Sequence, residues 1–377
     1  MKAVIAAYAR SPFHFAKKGA LASIRPDDLA AQVVRGLLGR LDLDPGLIED
    51  VILGCAYPEG PQGNNMARIV GLLSGLPHSV AGTTVNRFCG SSMQAIHTAA
   101  ANIEAGMGDA FLCIGVESMT TMPQGGLNPS PNPTLKAASK AYITMGETAE
   151  NVAARWSVPR QAQEAFAVSS HAKATAARQD GRLRDEIIAI QTPEGTTVVE
   201  DGCIRPGTSL EALAGLKPAF RPDGAVTAGT SSPLTDGAVA VFVTSDAFAE
   251  KHNLKPSARI RSFAVAGVDP EVMGIGPIPA TRKALARASL TVDDLGIVEI
   301  NEAFASQALA CMRDLGLNEA ITNLDGGGIS IGHPLGATGA RITAKAGALL
   351  QREGRRYGLA TQCIGGGQGI ATILERL

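Results

Sequence analysis

Thr83-Thr84-Val85-Asn86-Arg87-Phe88-Cys89-Gly90-Ser91-Ser92-Met93-Gln94-Ala95 is the stretch on which the fold turns. Its β-branched start reads as a short strand over 83–85. The small residues that follow read as the opening of a helix that runs from about 89 to 105. A strand feeding a helix through a tight turn is the repeating unit of an α/β protein. Outward from it the same alternation continues. Strands are expected at 4–8, 51–55 and 110–116. Helices are expected at 27–41, with Pro26 just ahead and an apolar face of Leu29, Val33, Val34 and Leu37, and at 65–73. This rhythm predicts a mostly parallel sheet.

The alternation stops after Glu117. Residues 118–140 hold Met, Gly, Pro, Asn and Ser without a period. Helices follow at 148–156 and 160–180, then a strand at 186–190 and a turn-rich stretch to about 229. Such a block reads as an insertion, a common place for a lid or binding face. A second series then begins. Strands fall at 237–244, 258–267, 296–300, 357–363 and 369–374, and helices at 280–288, 303–315 and 336–351. Two halves of about 120 residues, each of ordinary domain size, point to an internal duplication.

Composition narrows the function classes. The chain has 377 residues, 34 Lys+Arg against 35 Asp+Glu, and a formal net charge of −1. That balance lacks the basic excess expected of a protein that works on nucleic acid or a membrane surface. Glycine numbers 43, about 11% against a usual 7%. Aromatics are only 4%, so the core is packed from small and aliphatic side chains. No run approaches the roughly 18 apolar residues of a membrane span. The first residues read as a strand rather than a secretion signal, so a soluble, cytoplasmic protein is expected. The six cysteines (55, 89, 113, 203, 311 and 363) are scattered, with no Cys-x-x-Cys pair and no histidine in ligand spacing. Neither a zinc site nor a disulfide framework is expected.

Three stretches carry chemistry. Cys89 sits at a strand-to-helix turn, where the helix dipole is expected to lower its pKa and the next backbone N–H groups face any oxyanion. A small buried cysteine at a helix start accounts for the local pattern equally well. Gly326-Gly327-Gly328-Ile329-Ser330-Ile331-Gly332-His333-Pro334-Leu335-Gly336-Ala337-Thr338-Gly339 wraps one of only six histidines in glycine directly before a helix. A histidine there can take a proton from a thiol or steady an oxyanion, although a plain turn histidine is also possible. It is not a P-loop, because no Gly-Lys-Ser/Thr follows. Cys363-Ile364-Gly365-Gly366-Gly367-Gln368-Gly369 runs a buried strand into a triple-glycine turn whose N–H groups suit an oxyanion. Asn301-Glu302-Ala303-Phe304 adds polar groups at another strand end. In α/β sheets, ligands gather at such ends.

At these residues the chain resembles the thiolase family, over essentially its whole length. Within that family it leans toward the bacterial 3-ketoacyl-CoA thiolases of fatty-acid β-oxidation. The resemblance implies a five-layer αβαβα core of two duplicated halves. These would be an N-terminal half over 1–117 and 230–250, a CoA-binding loop domain over 118–229, and a C-terminal half over 251–377. It implies Cys89 as acyl-carrying nucleophile and His333 as its activating base. Cys363 would be the acid/base at the acetyl carbon. Asn301 would hold a water that forms one oxyanion hole with His333, and the N–H groups of Cys89 and Gly365 would form the other. Ser232, Met145, Ala219, Phe220, Phe304 and, more weakly, Arg205 match positions along the CoA and acyl groups.

Coenzyme A would be a substrate, and no metal or organic cofactor is implied. The partners implied are 3-ketoacyl-CoA, CoA and acetyl-CoA, a second copy in a homodimer or homotetramer, and a hydratase/dehydrogenase subunit. The same residues would serve acetoacetyl-CoA synthesis by condensation. A carrier-protein ketoacyl synthase does not need the second cysteine, and a non-catalytic lipid carrier commonly lacks the nucleophile or the histidine. The chain departs from the family pattern at Thr144, Asp325, Gly328 and Ser330, none of which carries a catalytic role.

Overall fold

The computed structural model describes residues 2–377, and Met1 lies outside them. The first half runs β1 (Ala3–Arg10), β2 (His14–Phe15), α1 (Pro26–Leu38), β3 (Asp50–Gly54), α2 (Met66–Leu73), β4 (Ala81–Val85), α3 (Ser91–Glu104) and β5 (Ala110–Ser118). The block that follows holds α4 (Pro133–Ala138), α5 (Met145–Arg155), α6 (Arg160–Gln179), a small hairpin of β6 (Ile190–Gln191) and β7 (Thr197–Val198), and α7 (Leu210–Ala214). Next come β8 (Thr235–Ser245) and α8 (Asp246–Lys251). The last part runs β9 (Ala258–Gly267), α9 (Pro277–Ala288), β10 (Leu295–Ile300), α10 (Ala305–Leu315), α11 (Gly328–Ile331), α12 (Leu335–Arg352), β11 (Tyr357–Ile364) and β12 (Gln368–Arg376).

The strands line up as β10-β11-β12-β9-β1-β8-β5-β3-β4. Each half repeats one pattern. β3 pairs parallel with β5, which pairs antiparallel with β8, which pairs antiparallel with β1. β10 pairs parallel with β11, then antiparallel β12 and β9 follow. A single parallel bridge between Val298 and Thr322 stands where β4 pairs with β3 in the first half. The two halves meet at β1 and β9 through Val4 with Arg259 and Ile5 with Ala258.

Five layers result. α3 and α12 lie between the two halves of the sheet in one cluster with Ile52, Phe111, Val241, Ile260 and Ile370. α1 and α2 cover the outer face of the first half of the sheet, and α9 and α10 that of the second half. α3 and α12 are buried over most of their length, so small residues dominate where they meet.

Two expectations need correction. The sheet is mixed, not mostly parallel. β12 follows β11 through the three glycines 365–367, with Gly366 at φ 78° and Gly367 at φ 85°, and a turn that short can only join antiparallel strands. No strand forms over 186–190. Arg184–Glu186 is a 3₁₀ turn, Ile187 makes a single parallel bridge to Arg10, and strand pairing resumes only at Ile190–Gln191. Glu186 is drawn into the interior instead, where it accepts from Arg10 Nε at 2.8 Å and Lys345 Nζ at 2.9 Å.

α3 and α12 cross closely at Gly339, where an added Cβ would lie 2.6 Å from the backbone nitrogen of Met93 and 2.7 Å from its Cβ. Gly339→Ala should destabilise the fold by about 1–3 kcal/mol, because α3 must shift as a body. This outweighs the helix-propensity gain of about 1 kcal/mol. Gly71→Ala in α2 meets only ordinary contacts at 3.6 Å and beyond, so it should be neutral or stabilising. Denaturant midpoints of the two variants check the contrast.

Candidate active site

The turn that carries Cys89 is strained and lashed in place. Phe88 has φ 42°, an unusual conformation for a bulky residue and one that functional turns often hold. Asn86 Oδ1 accepts from Phe88 N at 2.8 Å. Ser91 Oγ accepts from Arg87 N at 2.9 Å and donates to Phe88 O at 2.6 Å. Gly90 lets the turn press on β11: a Cβ there would lie 2.5 Å from Ile364 Cδ1. Gln362 donates to the carbonyl of Cys89. The backbone N–H groups of Cys89 itself and of Gly365 both face the Cys89 sulfur.

His333 stands just ahead of α12, after Gly332 at φ 113°. Its backbone N–H donates to Thr235 Oγ1 at 3.0 Å, and its Nδ1 lies 2.6 Å from Thr338 Oγ1. Asn301, at the end of β10, brings Nδ2 to 3.3 Å from His333 Nε2 and 3.5 Å from Nδ1. The other amide atom, Oδ1, is buried without a hydrogen-bond partner among the described residues. Cys363 is buried in β11 beside Met145, Ala303 and Phe304, close enough to Cys89 for a charge on either thiol to raise the other. Thus Cys89, Cys363, His333, Asn301 and Gly365 converge where three strand ends and two helix starts meet.

The residues matched to the CoA and acyl groups divide. Ser231 bridges Phe304, and Ser232 N donates to Ala303 O at 2.9 Å. Phe220 and Phe304 pack edge to face at 5.9 Å. A side chain at Gly365 would reach Met145 Sδ at 3.5 Å. Ala219 pairs its N–H with Val226 O at 2.9 Å, beside exposed Phe220. Ser232, Met145, Phe220, Ala219 and Phe304 therefore lie in one neighbourhood with Cys363 and Gly365. Arg205 stands apart. It is exposed, with its guanidinium 6.0 Å above the Phe15 ring and its backbone bonded to His171. No three His, Cys, Asp or Glu side chains converge to hold a metal ion among the described residues.

Residues 3–247 match the N-terminal domain of thiolases and residues 254–376 the C-terminal domain. The chain belongs to the thiolase family. It is 48% identical to a 3-ketoacyl-CoA thiolase of Saccharophagus degradans over 99% of this chain and 98% of that one. It is 47% identical to one of Pseudoalteromonas translucida over 98% and 97%. The crystal structure of human mitochondrial 3-ketoacyl-CoA thiolase superposes with a TM-score of 0.91 at 37% identity, over 99% of this chain and 98% of that one.

Sequence reading missed several groups of this thiolase. Glu117, at the end of buried β5, accepts from Ala56 N at 2.8 Å, Gly336 N at 2.9 Å and Gln62 Nε2 at 2.7 Å. It ties the loop after β3 to the start of α12, and burial pushes its carboxyl above the usual range. A lone acid closing the run Ala110-Phe111-Leu112-Cys113-Ile114-Gly115-Val116 was the available signal. Thr235, Thr338 and Gln362 left no such mark.

The expected lowering of the Cys89 pKa is reversed. Burial pushes the thiol up to about 12, and the nearby Glu117 adds to this. The two N–H groups pull the other way but do not win. Partial exposure of the residue also favours the thiolate, without cancelling the rise. Burial and the Arg341 charge push His333 down to about 3. At neutral pH the resting pair is therefore thiol and neutral imidazole. Because the Cys89 pKa lies above its ordinary value, the thiolate fraction keeps growing through alkaline pH. The rate of Cys89 alkylation by iodoacetamide should still be rising above pH 9. A plateau reached below pH 8 would show a preformed thiolate–imidazolium pair and contradict these electrostatics.

Proposed function

We propose that this thiolase, an acyltransferase, cleaves 3-ketoacyl-CoA with coenzyme A to give acetyl-CoA and an acyl-CoA two carbons shorter. The nearness of Cys89 to Cys363 and Gly365, and its packing in one cluster with Leu335 two residues after His333, carry the reading. In the first half-reaction, Cys89 passes its proton to His333 and its sulfur attacks the 3-keto carbon. The C2–C3 bond breaks with the electron pair going to C2. Cys363 donates its proton to C2, which releases acetyl-CoA and leaves an acyl-thioester on Cys89. In the second half-reaction, Cys363 thiolate takes the proton of the CoA thiol. The CoA sulfur attacks the acyl carbon, and Cys89 leaves and recovers its proton from His333. Both thiols end as they began.

Two oxyanions arise at different moments, so two donor sets are useful. The N–H groups of Cys89 and Gly365 serve one. Asn301, through a water held by its otherwise unpaired Oδ1, and His333 serve the other. The imidazolium and the Cys363 thiolate appear together, as opposite charges, which limits the cost of forming either in a buried site. The chemistry needs no metal or organic cofactor. The segment 118–229 presents the CoA arm, with Met145, Ala219 and Phe220 along it, and Ser232 and Phe304 at its base.

A cytoplasmic setting and a homodimer or homotetramer are part of the proposal, as is pairing with a hydratase/dehydrogenase subunit. Among the described residues no helix is long and apolar enough to cross a membrane. β4 lies at one end of the sheet beside the exposed Ile69, Leu72 and Leu73 of α2, which supports self-association.

The test is thiolysis of a panel of 3-ketoacyl-CoA esters from four carbons upward, with products read by mass spectrometry. Medium and long esters should be cleaved, and Cys89→Ala should lower kcat at least about 10³-fold. Cleavage of acetoacetyl-CoA alone would move the enzyme to the short-chain, condensing branch. No cleavage by folded protein would overturn the reading.

A further inference from the structure

Thr338 lies one turn into α12, buried, and its hydroxyl meets two partners. It lies 3.1 Å from Pro334 O, which can only accept, and 2.6 Å from His333 Nδ1. A hydroxyl has one proton to give. Spent on the carbonyl one turn back, a common arrangement for threonine in a helix, it leaves an oxygen lone pair for Nδ1, which must then carry a hydrogen. Asn301 Nδ2 lies 3.3 Å from Nε2 and 3.5 Å from Nδ1, beside the ring, and by itself favours neither nitrogen. His333 N bound to Thr235 Oγ1 fixes the backbone, so the ring cannot easily reorient.

We propose that Thr338 is a positioning residue that sets the tautomer of His333, taking the Nδ1 hydrogen and keeping Nε2 as the lone-pair nitrogen. Its use in catalysis rests on the thiolysis reading above: a base that takes the Cys89 proton must present a bare nitrogen, and the tautomer protonated at Nδ1 leaves Nε2 bare. Thr338 touches no reacting atom and acts through the ring alone.

The tautomer can be read without substrate. Protein labelled with ¹⁵N-histidine is studied by two-bond ¹⁵N–¹H correlation at neutral pH, with His333 assigned by loss of its signals in His333→Gln. The expected spectrum shows a protonated Nδ1 and an unprotonated Nε2. In Thr338→Val, which keeps the volume and removes the acceptor, the hydrogen should shift substantially toward Nε2. Thr338→Ser should restore the wild-type pattern. Should Thr338→Val fail to fold, Thr338→Ala serves the same comparison. In thiolysis, Thr338→Val should lower kcat roughly tenfold with little change in KM, with rescue by serine. A wild-type ring protonated at Nε2, or an unchanged tautomer in the variants, would overturn the proposal whatever the activity. A shifted tautomer with no thiolysis by the wild type would instead retain it and refute the thiolysis reading.

Discussion

Everything chemical in this protein depends on the crossing of α3 and α12 near their first turns. Gly339 lies against Met93, and Ser92 Oγ accepts the N–H of Ala340 at 2.9 Å. Gly115 of β5 has no room for a side chain between Ser92 and Ala337. With no bulky groups at the contact, the helices approach until backbone nearly meets backbone, and dispersion and buried hydrogen bonds hold them. Each helix starts at a residue that matters: Cys89 in the turn ahead of α3, and His333 two residues ahead of α12. Relative to each other, thiol and imidazole are as fixed as the crossing. The strained Phe88 is tolerated because the surrounding contacts leave the turn no alternative.

A second constraint is the separation of charge from chemistry. A buried ion network is built from groups other than Cys89, Cys363 and His333. Arg10 forks onto Asp201 at 2.6 and 2.8 Å and reaches Glu186, while Lys345 joins Glu186 to Asp325 at 2.9 and 2.8 Å. It ties β1, the inserted block and α12 together. Its acids, Glu186 and Asp325, are held below the usual carboxylate range by those cations. The site itself rests uncharged at Cys89 and His333. A neutral, largely desolvated site favours an apolar acyl chain, and full charges arise there only in pairs during turnover.

Much of this was legible in the sequence because the informative residues are local. Cys89, His333 and Cys363 each sit in a short stretch rich in glycine, where backbone approach leaves its mark in composition. The break after Glu117 and the return to a strand before residue 245 likewise follow from periodicity. What was missed is set by neighbours distant in sequence. The direction of β8 and β12 depends on which strands they join. The rise in the Cys89 pKa depends on burial by residues such as Ala56, Met119 and Leu335, from the loops after β3 and β5 and the start of α12. Glu186 looked like a strand residue and became an internal ion partner because Arg10 and Lys345, 176 and 159 positions away, meet it. Arg205 matched a family position by sequence, but its loop places it over Phe15.

The central claim is that the crossing presents Cys89, and not Cys363, as the thiol that carries the acyl group. Rapid acid quenching of the enzyme with a 3-ketoacyl-CoA ester, followed by peptide mass mapping, tests it most directly. The account predicts the acyl mass on the peptide containing Cys89 and none on that containing Cys363. Acylation of Cys363, or turnover with neither thiol acylated, would contradict it.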